Sequence, residues 1–155
     1  MKRIADVILL AAAGGLVLMT VIVGWQVFGR FILDDSPSWT EQAALLLMVW
    51  YVMMAAAVGV REGFHIRIDL LEEALSERRA RALRGFAHAV VLLCGVVFLV
   101  WGAQLSALVW EHRIPSLGLS RGVAYVPIAL SGLLISLFAA DHLRREWRGD
   151  LEPRT

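Results

Sequence analysis

VILLAAAGGLVLMTVIVGWQVFG, Val7 to Gly29, runs for 23 residues without an Asp, Glu, Lys or Arg. As a helix it reaches about 35 Å, enough to cross a hydrocarbon layer of about 30 Å. Three more runs of this kind follow: Gln42 to Val60 (19 residues), Gly85 to Trp110 (26) and Gly122 to Ala140 (19). A helix satisfies its own backbone hydrogen bonds in lipid, which an open strand cannot do. The chain therefore reads as an all-α integral membrane protein of four spans, about 5–31, 39–61, 77–110 and 121–146, in one up-down-up-down bundle over 1–155. Its 59% hydrophobic share and mean hydropathy of +0.67 agree, since soluble domains stay near 45–50% apolar.

Two basic residues before an apolar run also describe a secretory signal peptide. The first run, however, exceeds the roughly 7–15 residues of a signal's apolar core, so it is expected to be a retained span. The single Cys94 can form no internal disulfide and no thiolate cluster.

Sidedness follows from the basic residues. Twelve of the 15 lie before span 1 (Lys2, Arg3), between spans 2 and 3 (Arg61, Arg67, Arg78, Arg79, Arg81, Arg84) or after span 4 (Arg144, Arg145, Arg148, Arg154). Only Arg30, Arg113 and Arg121 lie on the other side. Positive charge near helix ends marks the cytoplasm, which predicts both termini and the middle segment inside. The net charge of +1 gives no reason to expect a nucleic-acid partner.

SPSWTEQ, Ser36 to Gln42, then falls in the short outer loop that enters span 2. Ser38 and Glu41 have capping-box spacing, Pro37 suits the turn before them, and Trp39 belongs at the water–lipid boundary. Asp34, Asp35 and Glu41 against Arg30 make the loop acidic. Such a loop can orient a basic surface on a docking protein, with Arg30, Trp39 and Glu41 holding the loop and helix start. Trp50 and Trp101 lie about 15 Å into their spans, too deep for an interfacial belt, and are expected to pack between helices or face another protein. Small residues four apart, Ala11 and Gly15, Ala55 and Gly59, and Gly132, Ser136 and Ala140, would permit close helix approach.

In the middle segment, Asp69 with Glu72 repeats the capping spacing, and Leu71, Ala74 and Leu75 form a short apolar face. A brief cytoplasmic helix lying along the interface is predicted there, with span 3 starting at Ser76 and Glu77. The arginines that follow suit anionic lipid headgroups. The spans offer little chemistry: no run carries the charged residue that marks a proton relay or ion path. His88 is better read as a packing histidine than as a ligand. His65, His112 and His142 fall outside the apolar runs, and no H-E-x-x-H element occurs. Neither enzyme activity nor a cofactor is expected.

VFGRFILDDSPSWTEQ, then a span, then VREGFHIRIDLL, then two spans separated by PSLGLSRGVAYVP, resembles the small membrane subunit of TRAP transporters, the tripartite ATP-independent periplasmic carriers. The most specific parts are Arg30, the Trp39-Thr40-Glu41 entry, and Arg61 with His65, Arg67 and Asp69 after span 2. Two departures stand out: Gln42 replaces the family's usual second acid, and Ser120 lies where a proline tends to occur. The resemblance implies a non-catalytic scaffold in the bacterial inner membrane. Its partners would be a large membrane subunit, which carries the substrate and sodium sites, and a periplasmic substrate-binding protein that it helps to dock. The transported solute would be an organic acid or a related compound. Two other classes share the size. A small multidrug-type exporter needs a carboxylate in the first run, which has none, and a redox-enzyme membrane anchor would show a haem absorbance.

Overall fold

The computed structural model describes residues 2–35, 37–62 and 76–148. Four long helices account for most of them: α1 (Lys2–Ile32), α2 (Ser38–Glu62), α3 (Glu77–Leu108) and α4 (Val126–Arg148), with a 3-10 turn at Arg121–Ala124. Each contains a stretch of 24 to 30 residues apolar and long enough to cross a membrane. The expected interfacial helix after Asp69, and with it His65, Arg67 and Asp69, lies outside the described residues.

Two boundaries differ from the sequence reading. Helix α3 ends at Leu108 rather than 110, because the Trp110 amide tightens onto Ala107 O (3.3 Å). The fourth span opens as a 3-10 turn, and Pro127 then sits in the first turn of α4, where a missing amide costs nothing. At the start of α3 the expectation holds: Ser76 is extended, and its carbonyl accepts from the Arg79 and Ala80 amides (2.8 and 3.0 Å).

Packing makes α4 the centre. It touches α2 on one side and α3 on another, while α1 packs against α2. A third of the apolar stretch of α4 is buried and none of that of α1. The core joins Ala57 and Val60 of α2 to Ile135 and Phe138 of α4, with Val91 of α3 against them. Ser131, fully buried on α4, returns its hydroxyl to Ile128 O (3.0 Å), so no polar group there is left without a partner.

Helices α3 and α4 meet almost backbone to backbone. A Cβ added at Gly95 would lie 2.6 Å from Ser136 Oγ and 2.9 Å from Ser136 N, and one at Gly102 would lie 2.8 Å from Ala129 N. At Gly132 it would fall on Leu99 N and Gly95 O. In lipid, helices gain little from hiding apolar surface from each other, so this close fit is what holds the pair. The Gly132–Ser136 stripe was legible in sequence, whereas its partners, Gly95 and Gly102 seven residues apart, were not singled out. A Cβ added at Gly15, from the first stripe, would lie 3.5 Å from the Tyr51 side chain, so α1 seats on α2 closely there.

Gly132→Ala or Gly102→Ala should force α3 and α4 apart and lower stability by about 1–3 kcal/mol, an overpacking cost. Gly14→Ala and Gly24→Ala meet open space and should be neutral or stabilising. Thermal unfolding of the four detergent-solubilised variants, followed by circular dichroism, checks the contrast.

Candidate partner-facing surfaces

The α1–α2 turn is built from the end of α1. The Gly29 carbonyl accepts from the Leu33 amide (3.2 Å) and also from the Asp35 amide (3.1 Å), which folds the chain back over the helix end. That path puts Asp34 at φ 52, a left-handed conformation that Asp tolerates better than most side chains. Gly29 is required beneath it, because a Cβ there would sit 2.8 Å from Asp35 O. Asp34 and Asp35 are both exposed, and Arg30, also exposed, makes no ion pair with either.

The expected capping pair does not form. Ser38 is already helical, which leaves Pro37 at the cap position, and proline has no amide for Glu41 to reach. Thr40 makes a different kind of bond: fully buried, it donates its hydroxyl to Pro37 O (2.7 Å), a carbonyl that also accepts the Thr40 amide (3.3 Å). Glu41 stays in the first turn, exposed, where the helix dipole favours an anion. Trp39 is exposed at the same level, as an interfacial indole should be.

The deep tryptophans separate. Trp50 is half-buried and donates Nε1–H to Val123 O (3.2 Å), which ties the middle of α2 to the 3-10 turn. Trp101 is 62% exposed on α3 and makes no hydrogen bond among the described residues. Of these two, Trp101 is the one placed to meet something outside the chain.

The α3–α4 connection is equally tied down. An antiparallel bridge pairs Arg113 with Ser120, Ile114 N bonds Leu119 O (2.8 Å), and Gly118 turns the chain at φ 67. Arg113 donates to Gly118 O (3.0 Å), and Ser106 donates to Gly122 O (3.0 Å). Ser120 caps the 3-10 turn by accepting from the Gly122 amide (3.1 Å) and donates its own proton to Trp110 O. A serine in place of the family's usual proline therefore has a local structural use.

At the opposite end, Arg61 lies in the last turn of α2, and its carbonyl stands 3.1 Å from His142 Nε2 of α4. His142 in turn stacks on His88 of α3, ring centroids 5.3 Å apart and 9° from parallel. The imidazole meets a helix-end carbonyl of α2 on one side and the His88 ring of α3 on the other, and so joins three helices. His88 is thus a packing histidine, as expected; its contact with His142 was not foreseen. Among the described residues no group of three or more His, Cys, Asp or Glu side chains could hold a metal ion.

Four helices long and apolar enough to cross a membrane define a small multi-pass membrane protein. Residues 19–149 match the family described as tripartite ATP-independent periplasmic transporters, DctQ component, and the chain belongs to that family. It is 22% identical over 117 residues to the sialic acid TRAP transporter small permease protein SiaQ of Vibrio cholerae, covering 76% of this chain and 68% of the relative. Over 76 residues it is 28% identical to the C4-dicarboxylate TRAP transporter small permease protein DctQ of the same species, 49% of this chain and 32% of the relative. A third similarity, 28% over 79 residues, is to the sialic acid TRAP transporter permease protein SiaT of Haemophilus influenzae; it covers 51% of this chain but only 13% of that much longer protein.

Trp50→Phe should remove the bond to Val123 and lower the stability of the chain by about 1 kcal/mol or more. Trp101→Phe should leave it unchanged within about 0.5 kcal/mol, as expected for a surface position. Denaturation of both variants alone, without any partner, is the measurement.

Proposed function

We propose that the chain is the non-catalytic scaffold subunit of a sodium-driven importer of organic acids or related solutes, seated in the bacterial inner membrane with both termini in the cytoplasm. The observation that carries this reading is the absence of charge from all four apolar runs, which leaves no coupling site inside the spans. Ion and substrate sites then belong to a large membrane subunit. The similarity to a short part of a long permease supports such a partner, since a counterpart of this chain there occurs within one polypeptide. Exposed Trp101, with Phe98 and Leu105 near it on α3, offers apolar surface for that subunit. Arg61 and the His65, Arg67 and Asp69 that follow it form the cytoplasmic motif of the same subunit class.

The α1–α2 turn would meet the periplasmic substrate-binding protein. Asp34 and Asp35 project from a backbone tied to Gly29, so their charges are presented at fixed positions, which favours orientation of an incoming basic surface. Such steering weakens with salt.

Proteoliposomes containing this chain alone should take up no solute in a sodium gradient, and adding the large subunit and the binding protein should restore uptake. Asp34→Asn with Asp35→Asn keeps the turn and removes the charge. It should lower uptake severalfold at limiting binding protein and low salt, with rescue by excess binding protein. Normal uptake by the double variant under those conditions would reduce the two acids to a solvated turn; uptake by the chain alone would overturn the scaffold role.

Orientation is tested separately. In a Cys94→Ala background, cysteines at Asp35 and Ser116 should react with an impermeant thiol reagent added from the periplasmic side, and cysteines at Ser76 and Arg148 should not. The opposite labelling would invert the proposed topology.

A further inference from the structure

One flank of α3 has an order that its packing on α4 does not explain. Arg79, Ala82, Phe86, Ala89 and Leu93 recur at spacings of three and four, which places them on one face of the helix. All five are exposed, Phe86 by 68% and Leu93 by 64%. The opposite face carries His88, Gly95 and Gly102 against α4. A single cation thus stands at one end of an apolar stripe in which large and small side chains alternate. Arg81, also exposed, adds a second positive charge at the same level.

The dimensions match one leaflet. From Arg79 to Leu93 the helix rises about 21 Å, and half of a bilayer of about 40–45 Å, headgroups included, is about 20–22 Å. A guanidinium forks onto phosphate oxygens with two parallel N–H donors, and its charge is not lost at any physiological pH. Neither Arg79 nor Arg81 makes an ion pair among the described residues. The alanines at 82 and 89 leave shallow steps beside Phe86 that a flexible acyl chain can fill.

We propose that this flank is the seat of an anionic phospholipid, its phosphate held by Arg79 and its acyl chains lying along Phe86 and Leu93, while Arg81, which leaves the helix on another side, adds to the positive potential at that level. Nothing in the argument depends on which side of the membrane this end faces. It is also independent of the transport reading, because it concerns the lipid that surrounds this helix and not the solute carried.

Native mass spectrometry of the full chain, released from micelles supplied with equal phosphatidylglycerol and phosphatidylcholine, tests it. The expected result is a preference for phosphatidylglycerol adducts that falls at least threefold in Arg79→Gln with Arg81→Gln and is retained in Arg113→Gln with Arg121→Gln, which removes the same charge from the other end. Filling the steps by Ala82→Trp with Ala89→Trp should reduce bound lipid with the arginines intact; circular dichroism identifies any variant that has lost its helices. Phe86→p-benzoylphenylalanine, irradiated in the chain assembled with the large subunit, reads the site without disturbing charge. A crosslink to phospholipid is expected. A crosslink to protein, or a lipid preference that ignores both the arginine and the alanine changes, would overturn the proposal.

Discussion

The close approach of α3 and α4 sets the terms for the other contacts. Between helices in lipid there is no water to expel, so association rests on van der Waals fit and on the few hydrogen bonds that can be made. Gly95, Gly102 and Gly132 bring the two backbones together, and Ser136, facing Gly95, keeps its hydroxyl on Gly132 O (2.7 Å) rather than leaving it bare in the interface. With α3 fixed on one face of α4, another remains for α2, and the small cluster of Ala57, Val60, Ile135 and Phe138 fills it. Helix α1, which meets only α2 closely, is held more lightly: Gly15 lies against Tyr51, and Tyr51 points its hydroxyl at Met19 Sδ (3.4 Å).

Span number and placement were legible because lipid contact constrains every turn of a helix. A run such as Val7 to Gly29 has one stable solution in a bilayer, whatever its neighbours do. Which helix sits at the centre was not legible in the same way. That depends on pairs such as Gly102 with Ala129, 27 residues apart in the chain, and a lone glycine in an apolar helix carries no label for its partner. The interval of seven between Gly95 and Gly102 was the available signal, since it returns to the same face after two turns.

The partner-facing residues divide along the same line. The exposure of Trp39 and of the two acids of the turn was legible because interface and charge are local properties, while their partner role is a proposal. Trp50 and Trp101 looked alike in sequence, both deep in apolar runs, and only the three-dimensional position of Val123 distinguishes them. The capping pair failed for a local reason: Pro37 takes the cap position and lacks the amide, and the Thr40 hydroxyl turns back onto the Pro37 carbonyl instead. That bond was in principle readable, since threonine three residues after a proline can return its hydroxyl to the proline carbonyl.

Among the described residues, five side-chain hydrogen bonds lie toward one end of the molecule. Trp50 to Val123, Ser106 to Gly122, Ser120 to Trp110, Arg113 to Gly118 and Thr40 to Pro37 all stitch the end that carries the α1–α2 turn and the α3–α4 connection. Most sit at the edge of the apolar layer, where an unmade bond is expensive and a made one is shielded from competing water. That end is therefore held in one shape before anything binds. In the proposed docking role such preorganisation would be a gain, because less conformational freedom would remain to be lost at each encounter. Asp34 belongs to the same construction: its left-handed backbone is imposed by the Gly29 turn, so its carboxylate and that of Asp35 project from a fixed platform rather than a floating loop.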